Sequence, residues 1–228
     1  MPHLNRRQLL GLAAAGAATW TLRADAQPTP PSGNLSEYQQ FLDSEGVPKI
    51  SPGPFAPTEP NILGPYHRES APFRGKITPP LADGDVMVIS GRVWAFDTRK
   101  PLPNTVLDIW QADAQGRYDN DDPANPPAPH VFRCRARIVT DQSGYYEYET
   151  IHPGAYKVGP NTSRPPHIHY MARHDRYQRL VTQLYFAGDD HLETDAFVRD
   201  ALIIEPRTVT TPNGDYRHGV FDIVLTPA

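Results

Sequence analysis

The chain has 228 residues, with 22 Lys and Arg against 26 Asp and Glu and a formal net charge of −4. No basic run appears, and the acidic balance excludes a nucleic-acid-binding class, which relies on clustered Lys and Arg. Proline accounts for 26 residues, about double the usual ~5%, and it interrupts helices and interior strands. Long helical bundles are therefore excluded, and short strands joined by stiffened loops are expected.

At the N-terminus, Arg6 and Arg7 precede an apolar stretch over 9–20, followed by Ala24-Asp-Ala26. This is a charged segment, a short apolar segment and a small-residue cleavage site. Asn5-Arg-Arg-Gln-Leu-Leu10 fits a twin-arginine export signal; an ordinary export signal with two chance arginines is the plainer alternative. The apolar stretch falls short of the ~20 residues of a membrane span, and no other stretch approaches that length. Residues 1–26 are thus expected to be a signal, and the mature chain a soluble periplasmic or extracellular protein with no stable membrane insertion. Twin-arginine export moves folded proteins, which suits a cofactor loaded beforehand. Three arginines and one aspartate lie in 1–26, so the remainder carries 19 basic and 25 acidic side chains and a net charge of −6. That remainder is long enough for one domain with a sizeable core.

Residues 27–60 are rich in Pro, Ser and Gly apart from a short helical candidate at 35–42, and read as a linker or an arm over the domain. The domain proper spans 61–228 and begins at Ile62-Leu-Gly-Pro-Tyr-His67. Loops are expected at 70–82 and 119–129. β-Branched and aromatic runs predict strands at 86–96, 105–110, 133–139, 145–150, 167–172, 181–186, 200–205 and 219–225. Turns fall at 97–101 and 141–144, and 193–199 is expected to make one or two helical turns. Repeated short strands with turn signals imply an all-β, two-sheet β-sandwich with long Pro-rich loops and few short helices. The single cysteine, Cys134, cannot form an internal disulfide and reads as a small buried residue in the third strand.

His167 and His169 flank Ile168. Side chains alternate along a strand, so both imidazoles share a face and offer two metal ligands. A hydrogen-bonded pair in a sheet is the plainer alternative, and zinc or copper fits the pair as well as iron. Tyr118 ends Asp113-Ala-Gln-Gly-Arg-Tyr118, and Tyr156 ends His152-Pro-Gly-Ala-Tyr156. Among eleven tyrosines most are expected to pack their rings in the core. Taken with the histidines, the two phenols favour ferric iron, because phenolate is a hard anionic donor that zinc sites seldom use.

These segments resemble the intradiol ring-cleavage dioxygenases from about Ile62 to Phe197. Arg164-Pro-Pro-His-Ile-His169 matches the family's Arg-Pro-Ala-His-Ile-His, with Pro166 replacing Ala. Thr182-Gln-Leu-Tyr-Phe186 matches a family strand, and Asp108-Ile-Trp-Gln111 matches the strand before the first tyrosine, with Trp110 eight residues ahead of Tyr118. The resemblance implies one non-haem Fe(III) per active site, held by Tyr118, Tyr156, His167 and His169. Tyr156 would be the axial ligand that leaves on substrate binding and takes a substrate proton. Arg164 would stabilise negative charge on the substrate, and Gln183 would orient Arg164 or a ligand. Ile62, Pro65 and Tyr66 would lie over the substrate pocket. The implied substrates are a catechol-type diol and O2, the ring opening between its two hydroxyl-bearing carbons to a muconate-type diacid; a homo-oligomer is compatible with the family.

Two other readings stand beside this one. The unit from Asp141 to Tyr156, a turn, an aromatic strand and Pro-Gly-x-Tyr, also occurs in prealbumin-like sandwiches without catalytic role, which suggests a non-enzymatic extracytoplasmic binding module on a prealbumin-like core. A zinc or copper hydrolase or oxidase could use the histidine pair. The Gly116-Arg-Tyr118 and Gly154-Ala-Tyr156 stretches look nearer the protocatechuate type, and Leu63-Gly-Pro-Tyr66 nearer the catechol and hydroxyquinol type. Asp189-Asp190 reads as a loop with no catalytic role.

Overall fold

The computed structural model describes residues 55–159, 162–212 and 214–228. The expected signal at 1–26 and most of the arm, including its helical candidate at 35–42, lie outside the described residues. Twelve strands form in this part of the chain. In order they are β1 (Val86–Ala95), β2 (Val106–Gln111), β3 (Arg135–Val139), β4 (Tyr145–Ile151), β5 (Tyr156–Gly159) and β6 (Thr162–Arg164). They continue with β7 (His167–His174), β8 (Tyr177–Phe186), β9 (Ile203–Ile204), β10 (Arg207–Thr211), β11 (Gly214–Val220) and β12 (Ile223–Leu225).

The strands build the two expected sheets. One runs β10-β11-β1-β12, with β4 paired antiparallel to β1. The other runs β3-β2-β7-β8-β9, and β5-β6 form a separate hairpin. Alternation along each strand turns one side chain in two inward. Met87, Ile89 and Val93 of β1 thus meet Leu107, Ile109, Ile168, Tyr170 and Leu184 of the second sheet in one core. Three buried tyrosines close it: Tyr148 and Tyr170 share a hydroxyl–hydroxyl hydrogen bond, and the Tyr146 hydroxyl donates to the Phe221 carbonyl. In the core, each phenol has its partner, as buried polar groups require.

The differences from expectation have local causes. The strand expected at 219–225 is two strands, β11 and β12, both parallel to β1. The Asp222 carboxylate interrupts the ladder by accepting from the Arg92 backbone N–H at 2.8 Å and from Trp94 Nε1 at 3.3 Å. Residues 200–205 begin as a 3-10 turn, Asp200–Leu202, and only Ile203–Ile204 pair, with β8. The segment 193–199 forms successive turns rather than helix, with Thr194 and Asp195 N–H both bonded to the His191 carbonyl. Cys134 is buried, but it sits in a bend ahead of β3 at φ 53° and not in a strand. Burial pushes its thiol up to about 11, which leaves it a poor nucleophile. The expected loop at 70–82 is tied to both sheets by isolated bridges from Phe73 to Arg137 and Lys76 to Glu149.

Residues 55–61 lie along the sandwich. Thr58 N–H reaches the Val224 carbonyl at 3.1 Å, and Asn61 N–H the Val181 carbonyl at 2.8 Å. Among the described residues no helix is long and apolar enough to cross a membrane.

Candidate metal centre

The face of the second sheet turned away from the core carries the expected histidine pair and Gln183. The registers align Arg135 with Trp110, Trp110 with His169, and His169 with Gln183 across β3, β2, β7 and β8. His167 pairs with Tyr185 one step along. The imidazoles of His167 and His169 therefore stand side by side, with their Nε2 atoms 3.1 Å apart and both residues buried.

The two tyrosines arrive from paired turns. Asp113 organises the first: its carboxylate accepts from the N–H groups of Gln115 and Arg117, and its carbonyl from those of Gly116 and Gly154. Gly116 has φ +76°, and a Cβ there would stand 2.1 Å from the Ala155 carbonyl oxygen; one on Gly154 would stand 2.5 Å from that of Ala114. The absence of both side chains lets the turns touch backbone to backbone and bring Tyr118 and Tyr156 together, ring centroids 5.5 Å apart and perpendicular. Gly116→Ala adds a disfavoured backbone conformation to an overpacked contact, and we expect it to cost about 2–4 kcal/mol in denaturant unfolding. A loss under ~1 kcal/mol would show that the turns separate freely.

All four expected ligand rings meet. Tyr156 lies 5.6 Å from His167, Tyr118 lies 6.3 Å from His169, and the imidazoles are 4.7 Å apart. Of the three residues expected over the pocket, Tyr66 stacks on Tyr118 at 4.3 Å and meets Tyr156 edge-on at 5.9 Å. Ile62 contributes its carbonyl, which accepts from Gln183 Nε2 at 2.9 Å, while its side chain is exposed. Pro65 is exposed in the turn leading to Tyr66. A Cβ on neighbouring Gly64 would lie 3.1 Å from His169 Cε1, so this segment passes directly over the histidine.

The donor set fits a metal ion. His167 Nδ1 is 2.7 Å from the Pro165 carbonyl, which only accepts, so Nδ1 carries the proton and Nε2 presents a lone pair. The Nε2–Nε2 spacing is close to the ~3 Å separating two nitrogens that each sit ~2.0–2.1 Å from one ion in adjacent positions. His169 Nδ1 has no hydrogen-bond partner among the described residues; its ring is fixed by stacking on Trp110 at 4.7 Å and 5°. The Tyr118 hydroxyl is buried with no hydrogen-bond partner among the described residues, unlike the core phenols. Burial, reinforced by Tyr156, raises its pKa well above the ordinary value, and a cation would reverse that balance. Burial also raises Tyr156, against the nearby Arg164 guanidinium. Among the described residues no group of three His, Cys, Asp or Glu side chains forms, so a zinc or copper centre of such donors has only the histidine pair.

Arg164 anchors the polar side of the site. Its Nε donates to Asp195 at 2.6 Å, and its Nη2 to Gln183 Oε1 at 2.8 Å and to the Tyr185 hydroxyl at 3.0 Å. Gln183 thus links Arg164 to the Ile62 carbonyl above the site. Asp119, next to Tyr118, pairs with Arg135 at 2.6 Å and with Arg68 at 2.7 Å, which pins the loop after the tyrosine. The Asp189 carboxylate lies 3.0 Å from His152 Nε2, tying the loop after β8 to the Tyr156 turn. Sequence reasoning missed Asp119, Arg135, Asp195, Tyr185 and His67, whose ring meets Trp110 edge-on at 4.7 Å. One overlooked signal was Arg135 and Arg137, two residues apart and so on one face of the expected strand, a charge unusual for a purely structural strand.

The histidine pair sets a pH dependence for the metal-free protein. Burial, then Arg164, depresses His167 to about 3, and burial, then His167, takes His169 well below its ordinary value. Unfolded histidines take up protons below about 6.5 while the folded ones resist. The unfolded state then binds more protons, and stability falls as pH drops from about 6.5 towards 3. Denaturant melts at pH 7, 5 and 4 should show this fall, with a shallower slope in His167→Gln. An equal slope in that variant would contradict it.

The sequence and the fold are matched by known proteins. The dioxygenase family model covers residues 62–227. The protocatechuate 3,4-dioxygenase beta chain of Burkholderia cepacia is 39% identical over 174 residues, 72% of this chain and 73% of that protein. The 6-chlorohydroxyquinol 1,2-dioxygenase of Cupriavidus pinatubonensis is 33% identical over 187 residues, 75% of this chain and 65% of that protein. Among solved structures, the dioxygenase domain of a dioxygenase carbohydrate-binding fusion from Streptomyces sp. SirexAA-E superposes with a TM-score of 0.63 at 34% identity, covering 76% of this chain and 100% of that one. The chain belongs to the intradiol ring-cleavage dioxygenase family. A non-enzymatic binding module is not favoured by these matches.

Proposed function

We propose that this protein is an exported, Fe(III)-dependent intradiol dioxygenase that opens a catechol-type diol between its hydroxyl-bearing carbons. The reaction places both atoms of O2 in a muconate-type diacid. The observation that carries the reading is the buried, unpartnered Tyr118 hydroxyl beside two imidazoles whose Nε2 atoms are 3.1 Å apart.

Tyr118, Tyr156, His167 and His169 would hold the iron, which when bound supplies the electron-withdrawing centre that activates a catecholate ring towards O2. Tyr156 is half-buried at the start of β5, the more accessible of the two phenols. Its oxygen would be placed to take a substrate hydroxyl proton when the diol binds. Arg164, held by Asp195 and Gln183, keeps a fixed positive charge beside Tyr156 for negative charge developing on the substrate. Tyr66 and the Ile62 segment cover the site and limit water.

The Asn5-Arg-Arg-Gln-Leu-Leu10 motif supports export, and an exported enzyme would meet catechols of plant origin. Protocatechuate, catechol and hydroxyquinol assayed in parallel test the function. Consumption of one O2 per diol with a diacid product supports it. Absence of O2 uptake by iron-loaded protein with every diol rejects it.

A further inference from the structure

The same sheet face that carries the histidine pair at one end opens into a cleft at the other. Its volume is about 500 Å³, and three guanidiniums line it: Arg137 on β3, Arg173 on β7 and Arg179 on β8. The one carboxylate among its lining residues is Asp175. Asp175 in the lining and Asp108 behind Arg173 offset part of this charge, which leaves a net positive wall in a chain of net charge −4, and a concave wall focuses the field.

Two of the three cations are held in place. Arg137 donates through Nε to the Ala71 carbonyl, and its guanidinium lies 4.4 Å above the Phe73 ring. Arg173 stands 3.5 Å from the Asp108 carboxylate, which itself is 3.5 Å from His67 Nε2. Arg179 has neither ion pair nor hydrogen bond among the described residues. Phe73 and Tyr177 add aromatic walls, and Phe73 is 56% exposed. The volume falls within the ~300–1,000 Å³ of small-molecule sites.

We propose that this cleft binds a small aromatic carboxylate. The guanidiniums would take the carboxylate oxygens in paired hydrogen bonds, and the Phe73 and Tyr177 rings would flank the ligand ring. The site is separate from the metal centre, and the proposal does not depend on the iron reading.

Calorimetric titration of the purified protein at low salt with isophthalate, a benzene ring with two carboxylates and no adjacent hydroxyls, tests it. Neutral isophthalamide and inorganic sulfate are the comparison probes. Saturable binding of isophthalate is expected, with isophthalamide and sulfate weaker. Arg179→Ala, at an exposed and unpartnered side chain, should keep the melting temperature and weaken isophthalate about tenfold or more, the scale of a lost charge-assisted pair. Arg179→Glu should abolish binding. Unchanged affinity in Arg179→Ala, equal affinity for isophthalamide, or sulfate binding as tightly as isophthalate would each overturn the proposal. So would self-association that is lost in Arg179→Glu without any isophthalate binding, which would make the cleft a contact between copies of the chain.

Discussion

Tyr118→Phe is expected to remove catalysis while making the metal-free protein more stable. The change deletes one oxygen and keeps the ring that stacks on Tyr66 at 4.3 Å. That oxygen is buried without a partner, and an unsatisfied buried hydroxyl costs about 1–3 kcal/mol, relieved when an apolar group of the same shape replaces it. The metal-free variant should therefore unfold at higher denaturant by an amount in that range. Losing even a partner that orients a metal ligand costs about 10–100-fold, so losing a ligand should lower iron affinity and turnover by more than about a hundredfold. The two effects have opposite sign, which no purely structural role for Tyr118 produces. A variant that loses stability and keeps activity would place the hydroxyl in packing alone.

Arg164→Ala should damage both fold and chemistry. The guanidinium is buried, and its removal leaves Asp195, whose side chain is 4% exposed, charged and unpaired. Breaking one side of such a pair costs about 3–5 kcal/mol. Arg164→Met with Asp195→Asn removes both charges and should recover most of that stability. Turnover should stay low in the double variant, because the fixed positive charge beside Tyr156 is gone. Recovery of activity together with stability would show Arg164 to be a structural cation only.

Much of the sandwich was legible because its strands are amphipathic. The inward positions of β1, β2, β4 and β7 carry mostly Val, Ile, Leu and Tyr at a period of two, and those strands form near their expected bounds; β8 begins at Tyr177, four residues ahead of the expected 181, over a polar, partly exposed stretch. β10 and the β5-β6 hairpin carry no such signal. Arg207–Thr211 is mostly polar and half exposed at a sheet edge, so backbone pairing with β11 forms it, not burial. The break at Asp222 was equally silent, since it comes from a side chain standing in for a ladder partner across 130 positions.

At the site, the histidine pair was readable from strand alternation alone. That Tyr118 and Tyr156 converge on it was not, because the convergence depends on two glycine turns packed against each other over a separation of some forty residues. The resemblance to a family supplied it. Asp195 and Asp119 escaped for a related reason: each pairs with an arginine at least 16 positions away, and local spacing carries no trace of such partners. The expected helical turns at 193–199 hid Asp195 further by assigning that stretch a purely local role.

Tyr118, Tyr156, His167 and His169 are proposed to bind ferric iron and admit a catechol beside it. A visible absorption spectrum of the purified, iron-loaded protein, recorded before and after anaerobic addition of catechol, tests it most directly. The expected result is a broad visible band from tyrosinate-to-iron charge transfer, shifting to longer wavelength as catechol enters, with one iron per chain by elemental analysis. A colourless protein that takes up no iron after reconstitution would contradict it.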